Sequence, residues 1–408
     1  MDNTAVNKPE LVSPAGDWPS LVSALESGAD SVYFGVKSLN MRDKADNFGA
    51  SELNKISDFI HSRGRKGYLA LNVIVSEKEL GKVRKVLRAA KSAQVDAVIL
   101  WDMAVLSIAK ELGIPVHLST QAGVLNSEAL SFFSRIGVKR AVLAREAALS
   151  DIKDILTKIE ERNLDVEIEA FVHGAMCVSI SGRCFLSAYS FDKPANKGEC
   201  LQPCRREFLI KDTAGEAEYL LGKDYLLSPK DLCAMPFIEE LIESGIKAFK
   251  IEGRMRPPEY VRIVTSSYRR AIDAYYRGGL TEKVKDELTD ELVSVYNRGF
   301  SAGFYFGKPE DWISRGLEHK YRKVFLGNVR KFYKKIMVAE LEVRNREIKQ
   351  GQEILFIGKS TPAEVVKVTE LQKDHLFVDK AVKGERVGVK LPFIVKPKDK
   401  AFIWEKIK

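Results

Sequence analysis

The sequence predicts an α/β chain: a TIM-like (β/α)8 barrel with a cysteine-bearing insert between its seventh and eighth strands, followed by a small C-terminal β-barrel domain. From Pro9 onward, short β-branched runs alternate with amphipathic stretches of ten to fifteen residues, the pattern of repeated βα units on a parallel sheet. Eight such runs fit into about 280 residues, the size of a closed barrel. After Val324 the grammar changes to short strands separated by turns, as in a small all-β barrel. No Gly-x-Gly-x-x-Gly follows the first run, which removes the main reason to prefer a dinucleotide fold.

The predicted barrel strands are Leu11–Ser13, Ser31–Gly35, Gly67–Val73, Ala97–Trp101, Val116–Ser119, Arg140–Ala144, Val166–Val172 and Ala248–Ile251. Helices are expected at Trp18–Ser27, Ser51–Ser62, Glu77–Ala93, Ala104–Leu112, Ser127–Ile136, Ser150–Arg162 and Pro258–Tyr276, where apolar residues recur with a period near 3.6. About 75 residues separate the seventh strand from the eighth, and a connection that long normally carries function. Inside it, Phe208–Asp212 and Tyr219–Ser228 alternate like a β-hairpin around Thr213-Ala214-Gly215. The division expected is a barrel over residues 9–280 with its insert at about 174–246, a helical and loop linker over 281–323, and the β module over 324–408. Turns at Gly327-Asn328, Gln350-Gly351 and Lys383-Gly384 punctuate that module.

The net charge of +9 is unevenly placed. Residues 324–408 hold 19 Lys and Arg against 11 Asp and Glu, a surplus of +8, so the rest of the chain is nearly neutral. A basic appendage on a neutral body suits polyanion docking, because cations gain affinity by displacing counterions from phosphates. A lysine-rich solvated surface would produce the same count. No apolar run approaches the eighteen residues of a membrane span, and Met1 to Glu10 is polar. A cytoplasmic protein with no membrane partner is therefore expected.

In a βα barrel the active site lies at the C-terminal ends of the strands. The polar corners there are Ser13-Pro14-Ala15-Gly16, Gly35 with Arg42 and Asn47 beyond it, Asn72, Asp102, Ser119-Thr120-Gln121, Arg145-Glu146, His173-Gly174 and Glu252-Gly253-Arg254. Paired opposite charges at Arg145-Glu146 and at Glu252-Gly253-Arg254 are the kind that clamp anionic substrates. All five cysteines, Cys177, Cys184, Cys200, Cys204 and Cys233, fall within one window of 57 residues, a clustering that ordinary packing cysteine does not produce. Four thiolates can hold zinc or an iron–sulfur cluster. Paired Cys-x-x-Cys knuckles are missing, which favours the cluster; a catalytic cysteine beside His173 is the third reading.

The run Glu169-Ala170-Phe171-Val172-His173-Gly174-Ala175-Met176-Cys177, followed by Ser181-Gly182-Arg183-Cys184-Phe185-Leu186-Ser187, closely resembles the signature of the collagenase-like peptidase family U32. Supporting matches are Glu10-Leu11-Val12-Ser13-Pro14-Ala15-Gly16, His117-Leu118-Ser119-Thr120-Gln121, Gly198-Glu199-Cys200 with Cys204-Arg205, Ser228-Pro229-Lys230-Asp231-Leu232-Cys233, and Lys250-Ile251-Glu252-Gly253-Arg254. The resemblance implies two kinds of activity. The family was named for proteolysis, yet its better-understood bacterial branches carry out oxygen-independent hydroxylation. One makes 5-hydroxyuridine in tRNA with prephenate as a required metabolite, one acts on a cytidine of ribosomal RNA, and one hydroxylates a quinone precursor with a 4Fe-4S cluster. Carried over by motif position, the cluster ligands are Cys177, Cys184, Cys200 and Cys233, with Cys204 as alternate ligand and zinc as the alternative metal. The chain departs from the usual Arg-Asp-x-Asn-Arg/Gln-Gly approach to the third cysteine, having Asp192-Lys193-Pro194-Ala195-Asn196-Lys197-Gly198.

Strand ends and resemblance together single out Glu169, His173, Arg145, Glu146, Glu252 and Arg254 as catalytic candidates. Proteolysis finds little mechanistic support, since the five histidines, His61, His117, His173, His319 and His375, form no His-Glu-x-x-His and no evident Ser–His–acid set. The function the resemblance implies is oxygen-independent hydroxylation of an RNA base, first of all prephenate-dependent 5-hydroxyuridine formation in tRNA with a 4Fe-4S cluster, and Arg145 and Arg254 are expected to hold the small dicarboxylate. A U32-type peptidase, and a metal-stapled RNA-binding scaffold without catalysis, are the alternatives.

Overall fold

A computed structural model describes residues 8–211, 213–215, 218–220, 227–309 and 311–407. Eight parallel strands close into a barrel: β1 (Glu10–Ala15), β2 (Ser31–Gly35), β3 (Lys66–Ala70), β4 (Ala97–Leu100), β5 (Val116–Leu118), β6 (Val138–Val142), β7 (Glu167–Gly174) and β8 (Ala248–Ile251). Closure comes from β8, which pairs with β1 on one side and β7 on the other. The strands stand where the β-branched runs predict them, with shifted ends. β3 stops at Ala70 rather than Val73 because the chain there bends and Asn72 turns toward the barrel mouth. β6 starts two residues early and ends at Val142; by Ala144 the amide has left the ladder for the carbonyl of Val124.

Helices fill the outside, and their starts follow capping chemistry. Asp17 accepts from the amide of Ser20 at 2.8 Å and caps Trp18–Glu26. Asp102 caps Met103–Glu111 through the amides of Ala104 and Val105 and also binds the amide of Val75. Such caps satisfy helix-terminal donors, so the polar corner at Asp102 belongs to the scaffold. Between strands and helices lies one large apolar cluster. Helix Glu282–Ser294 sends Leu288 and Leu292 into it, so the segment expected as a linker packs on the barrel.

The barrel interior is unusual. Val12, Tyr33, Tyr68, Ala97, Ile99 and Ala248 form a small cluster of their own inside the strands. Beside them, Arg140 of β6 contacts Glu10 at 2.8 Å, Glu167 at 2.6 Å and Glu169 at 3.4 Å, and Glu169 also holds Lys250 of β8 at 2.6 Å. A linked set of ions thus replaces the branched aliphatic layers that usually fill such barrels.

In the β7–β8 insert, a helix (Leu186–Phe191) and two single turns (Ala195–Lys197 and Pro203–Arg205) precede a hairpin of Leu209–Lys211 with Glu218–Leu220. A hairpin stands where the alternation predicts one, with shorter strands: Leu227 and Ser228 lie outside its second strand, and Asp212 and residues 221–226 lie outside the described residues. A short strand, Asp231–Cys233, then runs antiparallel to the end of β7, with Cys233 opposite His173, and Phe300–Ser301 pairs alongside it.

The C-terminal part is an eight-stranded antiparallel sheet built around Tyr321–Tyr333, which pairs with Val338–Val343 and with Lys400–Lys406. The first strand begins three residues before the expected Val324. Its core is aliphatic, including Leu326, Val329, Leu341, Ile354 and Val387. The sheet packs against the barrel's first and last helices: Lys323 pairs with Glu259 at 2.8 Å, Arg262 with Glu364, and the amide of Ala363 donates to Ser23 at 3.1 Å.

Candidate functional site

The C-terminal mouth of the barrel opens into a cavity of about 300 Å3, the lower end of the range for small-molecule sites. Its floor comes from strand residues Tyr33, Ile99, Val142, Phe171 and Lys250; its walls come from strand ends and the insert. Among the described residues, six arginines line it (Arg42, Arg145, Arg205, Arg254, Arg256 and Arg298) together with Lys250, against Glu252 as the one acidic lining residue. Low-dielectric walls with that balance concentrate anions.

Glu252, at the end of β8, organises the first group of cations. Arg42 donates to it through two nitrogens, at 3.2 and 2.8 Å, and Arg145 stands 3.6 Å away. Burial alone would raise its pKa, but Arg42 and Arg145 outweigh that and hold it at about 2. Arg254 is 3% exposed and gives one guanidinium nitrogen to Asn40 at 2.8 Å, while Nη1 has no hydrogen-bond partner. Burial brings its pKa down to about 10. Room for that side chain exists because residue 35 is glycine: a Cβ there would lie 2.1 Å from Nη1 of Arg254. Arg145 is held by the carbonyl of Ala175 and by the Phe171 ring, 3.9 Å from the guanidinium, and its Nε is also unpartnered. Buried unpartnered donors are costly, and here they belong to cations lining a cavity, where an anion would satisfy them.

A second group stands on other segments. Arg298 donates to Asp231 at 3.1 Å and to the Tyr296 hydroxyl at 2.7 Å; Arg256 lies 3.7 Å over the Tyr296 ring; Arg205 donates to the carbonyl of Met176 at 3.0 Å. Burial, then the charges of Arg298 and Arg256, lower the pKa of Arg205.

All five cysteines are free thiols. Cys177, Cys184, Cys200 and Cys204 line the cavity, with Cys204 in electrostatic reach of the other three, and Cys233 does not line it. Cys233 is buried behind β7 under the Tyr268 hydroxyl, and burial pushes its thiol up to about 11. Three cavity sulfurs meet donors: Ser179 at 3.4 Å from Cys177, the amide of Leu186 at 3.4 Å from Cys184, and the amide of Gln202 at 3.3 Å from Cys200. At Cys177 burial opposes ionisation, but the Ser179 bonds and the nearby Arg145 charge prevail and lower its pKa. Donors aimed at sulfur suit thiolates that ligate a metal cluster. Among the described residues, no three Cys, His, Asp or Glu side chains already converge at metal-ligating distance.

The predicted site thus divides. Arg145, Glu252, Arg254 and four cysteines share the cavity. Glu146 is exposed to solvent and lies outside it, because the chain turns out of β6 at Arg145. Glu169 is fully buried inside the barrel, neutralised by Lys250 and Arg140. His173 is buried among Tyr260, Tyr268 and Phe300, and burial, with Arg256 nearby, takes its pKa down to about 3. His117 packs on Tyr68 and is likewise held far below the usual imidazole range by burial. Neither histidine lines the cavity. Sequence reasoning missed Lys250, Arg205, Arg256 and Arg298. Lys250 opens a motif already singled out, and the strand's period of two places it on the same face as Glu252; Arg205 closes the Cys204-Arg205 match, and no local signal marks Arg256 or Arg298.

Among curated proteins, the chain is 44% identical to a protein of Methanocaldococcus jannaschii named an uncharacterized protease, over 97% of this chain and 98% of that one. It is 38% identical to a collagenase of Porphyromonas gingivalis, over 98% and 99% of the two chains. It is 34% identical to tRNA hydroxylation protein P1 of Bacillus subtilis, over 86% of this chain and 84% of that one. The model of peptidase family U32 matches residues 16–314, a span that holds barrel strands β2 to β8 and every residue lining the cavity; the chain belongs to peptidase family U32.

Proposed function

We propose that this cavity hydroxylates an RNA base without molecular oxygen, forming 5-hydroxyuridine in tRNA with prephenate as the small co-substrate and a 4Fe-4S cluster on the cysteine wall. The observation that carries the reading is the lining itself, four cysteines and six arginines with no histidine. A hydrolase of the serine or zinc type needs a general base at the reacting centre, and both barrel histidines are packed away from it. A relative whose printed name is a tRNA hydroxylation protein, matched over most of both chains, supports RNA as the substrate.

Cys177, Cys184, Cys200 and Cys204 would hold the cluster; the fourth position goes to Cys204 rather than Cys233 because Cys204 shares the cavity. A bound cluster supplies one-electron chemistry at that wall. Arg145 and Arg254, each with an unpartnered nitrogen, bind and orient the carboxylates of the co-substrate, and Arg42 fixes Glu252 between them. Phe185 and Tyr189 stand 82% and 91% exposed on the insert next to Cys184, where an unpaired base could stack. The exposed Lys331 at the end of its strand, with Lys334 and Lys335 on the turn that follows, offers phosphates a sequence-independent contact.

The test is metal analysis on protein purified without oxygen, with mass spectrometry of tRNA nucleosides from a deletion strain. About four irons and four sulfides per chain, retained in Cys233→Ala and lost in Cys177→Ala and Cys204→Ala, are expected, with 5-hydroxyuridine missing from the deletion strain. One zinc per chain, or an unchanged nucleoside profile, overturns the reading.

A further inference from the structure

We propose that Arg205, Arg256 and Arg298 form a phosphate subsite, separate from the Arg42, Arg145 and Arg254 group, that takes a backbone phosphodiester of the RNA substrate. This rests on the RNA reading above. The two groups share no carboxylate. The first surrounds Glu252, while the second has Asp231, which holds Arg298 at 3.1 Å and stands 3.9 Å from Arg256. Among the described residues, three guanidiniums against one carboxylate leave two positive charges uncompensated. A purely structural network would balance them, since buried charge without a partner is costly.

The geometry of Arg256 is the second observation. Its guanidinium carbon stands 3.7 Å over the centre of the Tyr296 ring, and with Asp231 no nearer than 3.9 Å it makes no hydrogen bond among the described residues. Stacking occupies the faces of the plane and leaves the N–H edges free, the arrangement in which arginine binds phosphate bidentately. Arg205 commits one nitrogen to the carbonyl of Met176 and, among the described residues, has no carboxylate partner. The three come from the insert, the loop after β8 and the segment before Phe300, and all line the same cavity. Loops after the last two strands are where barrels of this class commonly hold phosphate. Arg205 directly follows Cys204, so a phosphate held there would anchor its nucleotide beside the thiol wall.

The experiment uses the full chain and three variants: Arg256→Gln, Arg256→Lys and Arg205→Gln. Arg298 is left intact because its bonds to Asp231 and Tyr296 hold the barrel edge together. The probes are uridine, uridine 5′-monophosphate, prephenate and a tRNA anticodon stem-loop titrated with salt. The unsubstituted chain should bind the monophosphate at least about tenfold more tightly than uridine. Either Gln variant should erase that preference and lower the salt slope of RNA binding by about one. Arg256→Lys should keep the slope and lose most of the preference, because the planar fork is gone. Prephenate affinity and iron content should not change. RNA binding with a normal salt slope and an unaltered monophosphate preference in both Gln variants overturns the subsite and leaves the RNA reading standing. A monophosphate preference that depends on Arg256, in a chain that does not bind RNA, keeps the subsite and overturns the RNA reading. Equal loss of prephenate and monophosphate affinity would mean one shared anion site and also overturns the proposal.

Discussion

The two β structures of this chain place their charge in opposite ways. The C-terminal sheet keeps an aliphatic core and wears its ions outside, as in Arg322–Glu405 and Arg386–Glu340, where the basic partners are 56% and 66% exposed. The barrel keeps ions within, from Glu10 through Arg140 and Glu169 to Lys250, and then lines its mouth with arginine. Exposed pairs cost little and contribute little, whereas buried ions must be matched or they destabilise the fold. The barrel's matched column therefore supports a cavity floor that ends in Lys250, while the arginines left partly unmatched at the mouth mark where a ligand belongs.

The sharpest way to break this comparison is Glu169→Gln. It leaves Arg140 and Lys250 facing each other across a fully buried neutral amide, and removing one partner of a buried pair costs about 3–5 kcal/mol. Denaturant unfolding of the full chain should show that loss. A cost below about 1 kcal/mol would mean that the column behaves like a surface pair.

Gly35→Ala tests the mouth rather than the column. The added methyl would meet Nη1 of Arg254 at 2.1 Å, so the guanidinium must move while the barrel strands stay paired. Displacing one charged donor should weaken binding of a small dicarboxylate by at least about tenfold, with little change in unfolding free energy. Calorimetric titration of prephenate reads it directly. Unchanged affinity would remove Arg254 from the site.

Acid separates the two structures next. His173 has a folded pKa of about 3 against an ordinary 6.5, so between those values the unfolded chain binds a proton that the folded chain refuses. Stability is full above pH 6.5 and falls as pH drops toward 3, by at most about 1.4 kcal/mol per pH unit from this one group. Glu10 and Glu252, held at about 2, extend the loss from about 4.5 downward. The barrel should accordingly unfold on acidification before the C-terminal sheet, and His173→Gln should flatten its pH slope between 6.5 and 3. A slope that does not change places the titration elsewhere.

Much of the fold was legible because it rests on local rules. β-branched runs and caps such as Asp17 set the βα repeat within a few residues of its ends. The site was legible where chemistry is dense in sequence: the cysteine window, and Arg145, Glu252 and Arg254 at strand ends. What failed depends on direction. Glu169 lies in the same signature as Cys177 but points into the barrel below the cavity, and Glu146 leaves the site at the turn that keeps Arg145 in it. Cys233 was expected to join the other thiols, yet an added strand carries it behind β7, opposite His173. Arg205, Arg256 and Arg298 meet only through the closed topology, and no local pattern could have assembled them.

The smallest expected effect lies on the outer sheet and completes the contrast. Arg322→Ala removes a partner of Glu405, which keeps a second cation, Arg346, at 3.4 Å. The Arg322 side chain is more than half exposed, so solvent already screens most of its attraction. The loss should stay below about 1 kcal/mol and vanish near 1 M salt, whereas the Glu169→Gln deficit should persist there, because buried ions are screened far less. Equal salt sensitivity of the two variants would show that the interior column is open to water, and the distinction between the two structures would then fall.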